Sequence, residues 1–371
     1  MNRIPTALCA IGLGVASVAA VAAPATAAPS PGEPSVLASG FIAPLGLTVD
    51  RDGTAIVTSG FGYGILSTVD RQGTVTNVIE APGEEIGAPA VDGKSIYYLR
   101  GNDAHTEALY YELRDGASTA IADLAAYEAA ENPDSVNTYG FVDLPDECAE
   151  QFVPFPEYPP LGMPTYTGII DTHAYGAVAI GGTVYIADAG ANAILAVSDA
   201  GIETVAVLPP TEPFTVSAAV AQSNFWPECT VGYGYRYEPV PTDVEPGPDG
   251  MLYVTTLPGG PEDPSLGARG AVHRVDPATG DVELVSGGFV GTTGLAVAAN
   301  GTIFVAELFG GDGSGQVSMI APGASEPTPV MSLPTPAAIS VRAEQLYVTT
   351  DVFGDGSLTT VPLKGVAHSR R

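Results

Sequence analysis

Residues Gly294-Leu295-Ala296-Val297, then Asn300-Gly301, then Thr302-Ile303-Phe304-Val305-Ala306 read as an apolar run, a tight turn and a second apolar run. The figure recurs at Gly46-Leu47-Thr48-Val49-Asp50 with Asp52-Gly53 and residues 54–58. It recurs again at Thr242-Asp243-Val244-Glu245-Pro246 with Asp249-Gly250 and residues 251–255. Asn-Gly and Asp-Gly between apolar runs signal hairpins, because both residues accept the positive φ of a type I′ turn. Weaker copies start near Gly87 (turn at Asp92-Gly93), Tyr175 (turn at Gly181-Gly182) and Ala338. That makes six.

A second hairpin follows each copy. Residues 65–69 turn through Asp70 to Gly73 into residues 74–79, and residues 271–275 turn through Asp276 to Gly280 into residues 282–285. Residues 109–113 turn at Asp115-Gly116, and residues 194–197 turn at Asp199 to Gly201. Each unit is therefore a four-stranded antiparallel meander, the blade of a propeller. Stacking between neighbours covers both faces of a blade, so its strands are apolar nearly throughout rather than cleanly alternating. The expected fold is all-β, a six-bladed β-propeller with two long inserted loops and one short helix. The last copy ends one strand short at residues 357–361, and residues 36–40 resemble an outer strand. If they complete the last blade, the ring closes without a free edge.

The two insertions span about 122–172 and 209–241. The first opens on a short helix over 122–132, stopped by Pro133, and carries Cys148. The second carries Cys229, Trp226 and several tyrosines. Both follow an outer strand and precede the next inner strand, so both emerge at the same end of the disc and flank the third blade. A Cys148–Cys229 disulfide would join them into a cap; two unpaired buried thiols are the alternative.

Arg3 is the only charge in the first 32 residues, an apolar stretch covers 7–23, and Ala25-Thr26-Ala27 offers a small-x-small cleavage pattern. This reads as a secretory leader over 1–27. An uncleaved anchor is the alternative, although the stretch is short for a span. A flexible linker over 28–35, one propeller domain over 36–363 and a tail over 364–371 complete the expected organisation. The exported chain would keep all 42 acids and 12 of the 13 bases. Such a charge repels phosphate backbones and anionic lipid, which argues against nucleic-acid partners, and no later apolar run is long enough for membrane insertion. With 45% hydrophobic and only 15% charged residues, the chain can bury a large core rather than remain disordered. A secreted monomer is the expectation.

Residues 122–134 (Ala-Asp-Leu-Ala-Ala-Tyr-Glu-Ala-Ala-Glu-Asn-Pro-Asp), Asn137-Thr138-Tyr139-Gly140 and residues 185–192 resemble the ScyD/ScyE family of secreted bacterial propellers. Residues 240–244, 247–250 and 293–297 extend the likeness over nearly the whole exported chain. It is specific in the helix-bearing loop and generic in the hairpins, which resemble NHL-like and lactonase-like propellers at large. The resemblance implies a secreted propeller and brings no set of catalytic residues with it.

Several loops between second and third strands carry acids: Asp103 beside His105, Asp188, Glu262 and Asp263, Glu307 and Asp312, Asp351 and Asp355. Asp171 and His173 end the first insertion. Hard oxygen ligands from several blades suit calcium, with Asp103, Asp188, Glu307 and Asp351 as candidate ligands. The plainer reading is that these acids cap turns. His173, Asp188, Trp226, Glu307 and Asp351 are the candidate ligand-binding residues, while Trp226, Phe225, Tyr233, Tyr235 and Tyr237 could equally form the core of the cap. No zinc spacing, nucleophile elbow or phosphate loop occurs. Two functions follow. One is a scaffold that binds a small ligand or an extracellular protein beneath the cap. The other is a calcium-dependent hydrolase, resembling lactonase-type propellers, in which the metal polarises a carbonyl.

Overall fold

The computed structural model describes residues 30–102, 104–155, 160, 162–260 and 267–364. The expected leader, most of the tail, Asp103, Glu262 and Asp263 lie outside them. Six four-stranded antiparallel sheets form the body, five of them running consecutively over residues 44–80, 85–123, 174–207, 241–289 and 292–332. The sixth takes Ile339–Arg342, Gln345–Thr350 and Gly356–Lys364 from the C-terminal end, and Ser35–Phe41 from the N-terminal end as its outer strand. The first strand of each blade packs on that of the next, and the sixth packs back on the first. The ring is closed.

Two local features depart from expectation. Within the expected linker over 28–35, Ser30–Pro31 pairs with Leu363 and Lys364, adding a second tie between the chain ends. The strongest hairpin turns are not type I′. In them the glycine alone takes positive φ (Gly53 82°, Gly250 83°, Gly301 84°). The Gly53 amide donates to the Asp50 carbonyl and the Asp50 amide to the Thr54 carbonyl. The Asp50 carboxylate in turn accepts from the Asp52 and Thr54 amides at 2.8 and 2.9 Å. This is a three-residue loop closed on a glycine bulge, favoured because the Asp50 side chain satisfies two amides that a two-residue turn would not present. True two-residue loops with both φ positive occur at Asp115-Gly116 and Gly181-Gly182.

Glycine in the first strand lets the blades converge. A Cβ on Gly176 would lie 2.7 Å from the Asp243 Cα, and one on Gly294 would lie 2.8 Å from the Ala337 carbonyl oxygen. Blade 4 carries Asp243 at this position, and its carboxylate accepts the Leu295 amide of blade 5 at 2.9 Å. With strands this close, the axis narrows to a void of about 10 Å³ lined by Gly46, Tyr175, Gly176, Asp243 and Thr293 among others.

The insertions build a seventh sheet absent from the sequence expectation. Thr165–Thr167, Thr138–Val142, Gly234–Arg236 and Phe214–Thr215 pair in that order, so each insertion contributes two strands. Cys148 and Cys229 are bonded, with Cα atoms 5.9 Å apart. Beneath the sheet, Trp226 stacks on Tyr235 with ring centroids 4.6 Å apart, and Phe141 meets both rings edge-on. The helix Leu124–Glu131 starts where the Asp123 carboxylate caps the Ala126 amide at 2.9 Å. It ends at Asn132, with φ 38°, just before Pro133. Leu124 and Glu128, one turn apart, form its buried face. Among the described residues no helix is long and apolar enough to cross a membrane.

Candidate functional site

The loops between second and third strands and the starts of the first strands open at the end of the disc that carries the cap. There, side chains from all six blades line one cavity of about 420 Å³. Blade 1 supplies Leu45 and Phe61, blade 2 Glu85 and His105, and the entry to blade 3 His173 and Tyr175. Blade 4 supplies Leu257, blade 5 Thr293 and Leu308, and blade 6 Phe353. Phe61 and Phe353 are 64% and 58% exposed, an unusual placement for large apolar rings. Phe61 (φ 55°), His105 (φ 52°) and Asp351 (φ 56°) hold the left-handed conformation in three of these loops. Each costs about 1 kcal/mol or more for a non-glycine residue. Backbone strain thus concentrates at the mouth.

Polar character gathers on the side of blades 2 and 3. His173 Nε2 lies 2.8 Å from Glu85 Oε1, and His105 Nδ1 lies 2.9 Å from Asp171 Oδ1. The two imidazoles stack with centroids 4.4 Å apart. The hydrogen bond to Asp171 raises the His105 pKa and outweighs its desolvation. Burial pushes Glu85 up, but the hydrogen bond from His173 and the charge of both imidazoles hold it below the usual carboxylate range. Glu85, His105 and His173 each offer one ligand atom within 4.8 Å of the others. Because Asp171 engages Nδ1 of His105, Nε2 is the atom left to bind, the orientation in which a carboxylate supports a metal-binding imidazole.

Of the candidate ligand-binding residues read from sequence, His173 lines this cavity, joined by His105, while Asp103 lies outside the described residues. Asp188 lies behind it, fully buried, accepting from Thr172 Oγ1 at 2.6 Å, the His173 amide at 2.7 Å and the Ala191 amide at 3.2 Å. It fixes the loop that presents His173. Glu307 is also buried and ties blade 5 together through the Val290 amide, Gln316 Nε2 and Ser318 Oγ. Asp351 is exposed and shapes a turn through its backbone, bonding the Pro334 carbonyl and the Gly354 amide. Both buried acids spend their oxygens on amides and hydroxyls, leaving little for the calcium expected of them. Trp226 belongs to the cap, where it borders a separate cavity of about 870 Å³ with Tyr166, Tyr235, Tyr237 and Glu238. That cavity is larger, but its rings are packed on one another. The smaller mouth is the stronger site because the blades converge there on paired ionisable groups. Glu85 was missed by the sequence reading, as nothing in residues 80–86 marks it from its acidic neighbours.

A comparison with protein-family models and with curated proteins finds no match. Solved structures do match. A protein of unknown function from Bacteroides thetaiotaomicron VPI-5482 shares 12% identity, covering 89% of this chain and 76% of that one, with a TM-score of 0.53. The PQQ-bound aldose sugar dehydrogenase of Streptomyces coelicolor shares 12% identity over 91% and 100%, with a TM-score of 0.52. A gluconolactonase from Xanthomonas campestris shares 11% over 92% and 99%, at 0.48. The likeness is one of fold. At such identity the two structures with a TM-score above 0.5 support the fold alone and leave the site to be read from its own residues.

Proposed function

We propose that this is an exported propeller, of the ScyD/ScyE kind, that captures a small and mostly apolar molecule through one polar head at its axial mouth. The observation that carries the reading is the convergence of six blades on a single cavity with aromatic and aliphatic walls and one polar pole. The Cys148–Cys229 bridge supports export to an oxidising compartment. Anilinonaphthalene sulfonate, aromatic with one charged head, is a suitable probe. Wild-type protein is expected to bind it at one saturable site, with affinity falling about tenfold or more in a His173→Ala, Phe353→Ala double variant. Equal affinity in the variant would refute the reading.

A second reading, hydrolysis, is favoured by the two imidazole–carboxylate pairs. Two nitrogens and one carboxylate suit a borderline ion such as zinc and are too few oxygens for calcium. A zinc ion held by His105, His173 and Glu85 would supply carbonyl polarisation, while Asp171 fixes the His105 ring and the apolar walls exclude water. Hydrolysis of p-nitrophenyl acetate that needs added Zn2+ and vanishes in His173→Ala would decide for this second reading.

A further inference from the structure

The inward face of the helix Leu124–Glu131 carries a feature that the mouth does not explain. Glu128 is 1% exposed and Asp134 is 0% exposed. Neither carboxylate oxygen of Glu128 has a hydrogen-bond partner, and Oδ1 of Asp134 and Oδ1 of Asn132 also lack one. Four buried acceptor oxygens thus fall within seven residues without a well-placed hydrogen-bond donor, the Asp171 amide being the one donor that approaches Glu128. Buried polar atoms are ordinarily satisfied, and a group of orphaned acceptors points to a missing partner.

The surrounding packing is specific. Asp134 Oδ2 accepts from Tyr139 Oη at 3.0 Å and from Asn192 Nδ2 at 2.8 Å, and Asn132 Nδ2 donates to the Gly168 carbonyl at 3.1 Å. Gly168 presses so closely on Asp134 that a Cβ there would lie 1.7 Å from Oδ1. Burial, reinforced by the charges of Asp188, Asp134 and Asp171, pushes Glu128 up to about 8, and the Asp171 amide offsets only part of that rise. The charged groups acting on Glu128, which are Asp134, Asp171 and Asp188, are all negative. The environment is made of oxygen acceptors, without the imidazole nitrogens of the mouth.

We propose that this buried cluster binds a calcium ion through the carboxylates of Glu128 and Asp134 and the amide oxygen of Asn132. A hard cation satisfies acceptor-only groups, and calcium completes six to eight oxygens with backbone carbonyls and water. The ion neutralises charges that burial otherwise makes costly. The chain leaving the cluster, residues 168–173, carries Asp171 and His173 to the mouth, so the cation would set the polar pole from behind.

The test is calorimetric titration with CaCl2 of disulfide-bonded protein stripped by chelator, paired with thermal unfolding. Wild type is expected to bind one Ca2+ and to gain about 5 °C in Tm at a hundredfold excess over Kd. Glu128→Gln, nearly isosteric, is expected to lose both, whereas Glu85→Gln at the mouth keeps both. Two results would overturn the proposal. One is wild type that shows no Ca2+ heat and no Tm shift. The other is a Glu128→Gln variant that matches or exceeds wild-type stability with Ca2+ present, as a protonated carboxyl or a trapped water would predict. Because the probe is Ca2+ and the readout is stability, the outcome is separate from ligand capture at the mouth.

Discussion

A chain beginning at residue 44 is expected to lose the stable monomer. The strand Ser35–Phe41 is the outer strand of blade 6, with Ser35 opposite Thr360 and Phe41 opposite Gly356. Its Ala38 and Phe41 are buried in a cluster with Ala55, Val57 and Val69 of blade 1 and Leu358 of blade 6. Deletion strips that cluster and bares the edge of Gly356–Lys364, inviting pairing between chains. The loss should be on the order of 5 kcal/mol or more, from buried apolar area and the lost ladder. Phe41→Ala alone should cost about 3–4 kcal/mol. Urea unfolding and gel filtration read both, and an unchanged midpoint with a monomeric profile for the truncated chain would show that the ring does not depend on this strand.

The second large effect is expected at the cap. Replacing Cys148 and Cys229 by serine frees two ends separated by 81 residues. By the chain-entropy estimate, closing so long a loop contributes about 4 kcal/mol. The loss should fall on the cap first, because its strands are only two to five residues long and join insertions from either side of blade 3. Trp226 is the single tryptophan and lies within the cap core. Its emission therefore reports the cap alone. In the serine variant it should shift to the red at lower urea than far-ultraviolet circular dichroism, which follows the blades. Coincident transitions at the wild-type midpoint would mean that packing among Phe141, Trp226 and Tyr235 suffices without the covalent bond.

Much of the ring is visible in the sequence because each blade repeats its own punctuation. Asp-Gly and Asn-Gly fix a turn locally, and apolar runs on both sides fix the strands, so blade count, ring closure and the helix near 122–132 need no tertiary knowledge. The turn type was less visible. Whether Asp52-Gly53 makes a two- or three-residue loop depends on Asp50 reaching back to two amides, a contact two residues outside the turn motif. The cap sheet was hidden for another reason. Strands such as Phe214–Thr215 are too short to show alternation, and their partners lie in a different insertion.

The site follows the same division. His105 and His173 could be singled out as histidines in suggestive places, but their stacking is a product of ring geometry across two blades. Glu85 and Asp171 acquire meaning only as the partners of those rings. Asp188 and Glu307 look like ligands in a linear reading because their loops face the axis. The fold turns both inward, where backbone amides and hydroxyls use their charge to hold loops in place.

The constriction at the level of Gly176 and Asp243 has a consequence for traffic. At the waist the void is only about 10 Å³, barely room for one water molecule. A ligand of the kind proposed for the mouth would then reach and leave it past Phe61 and Phe353, at the cap end of the disc.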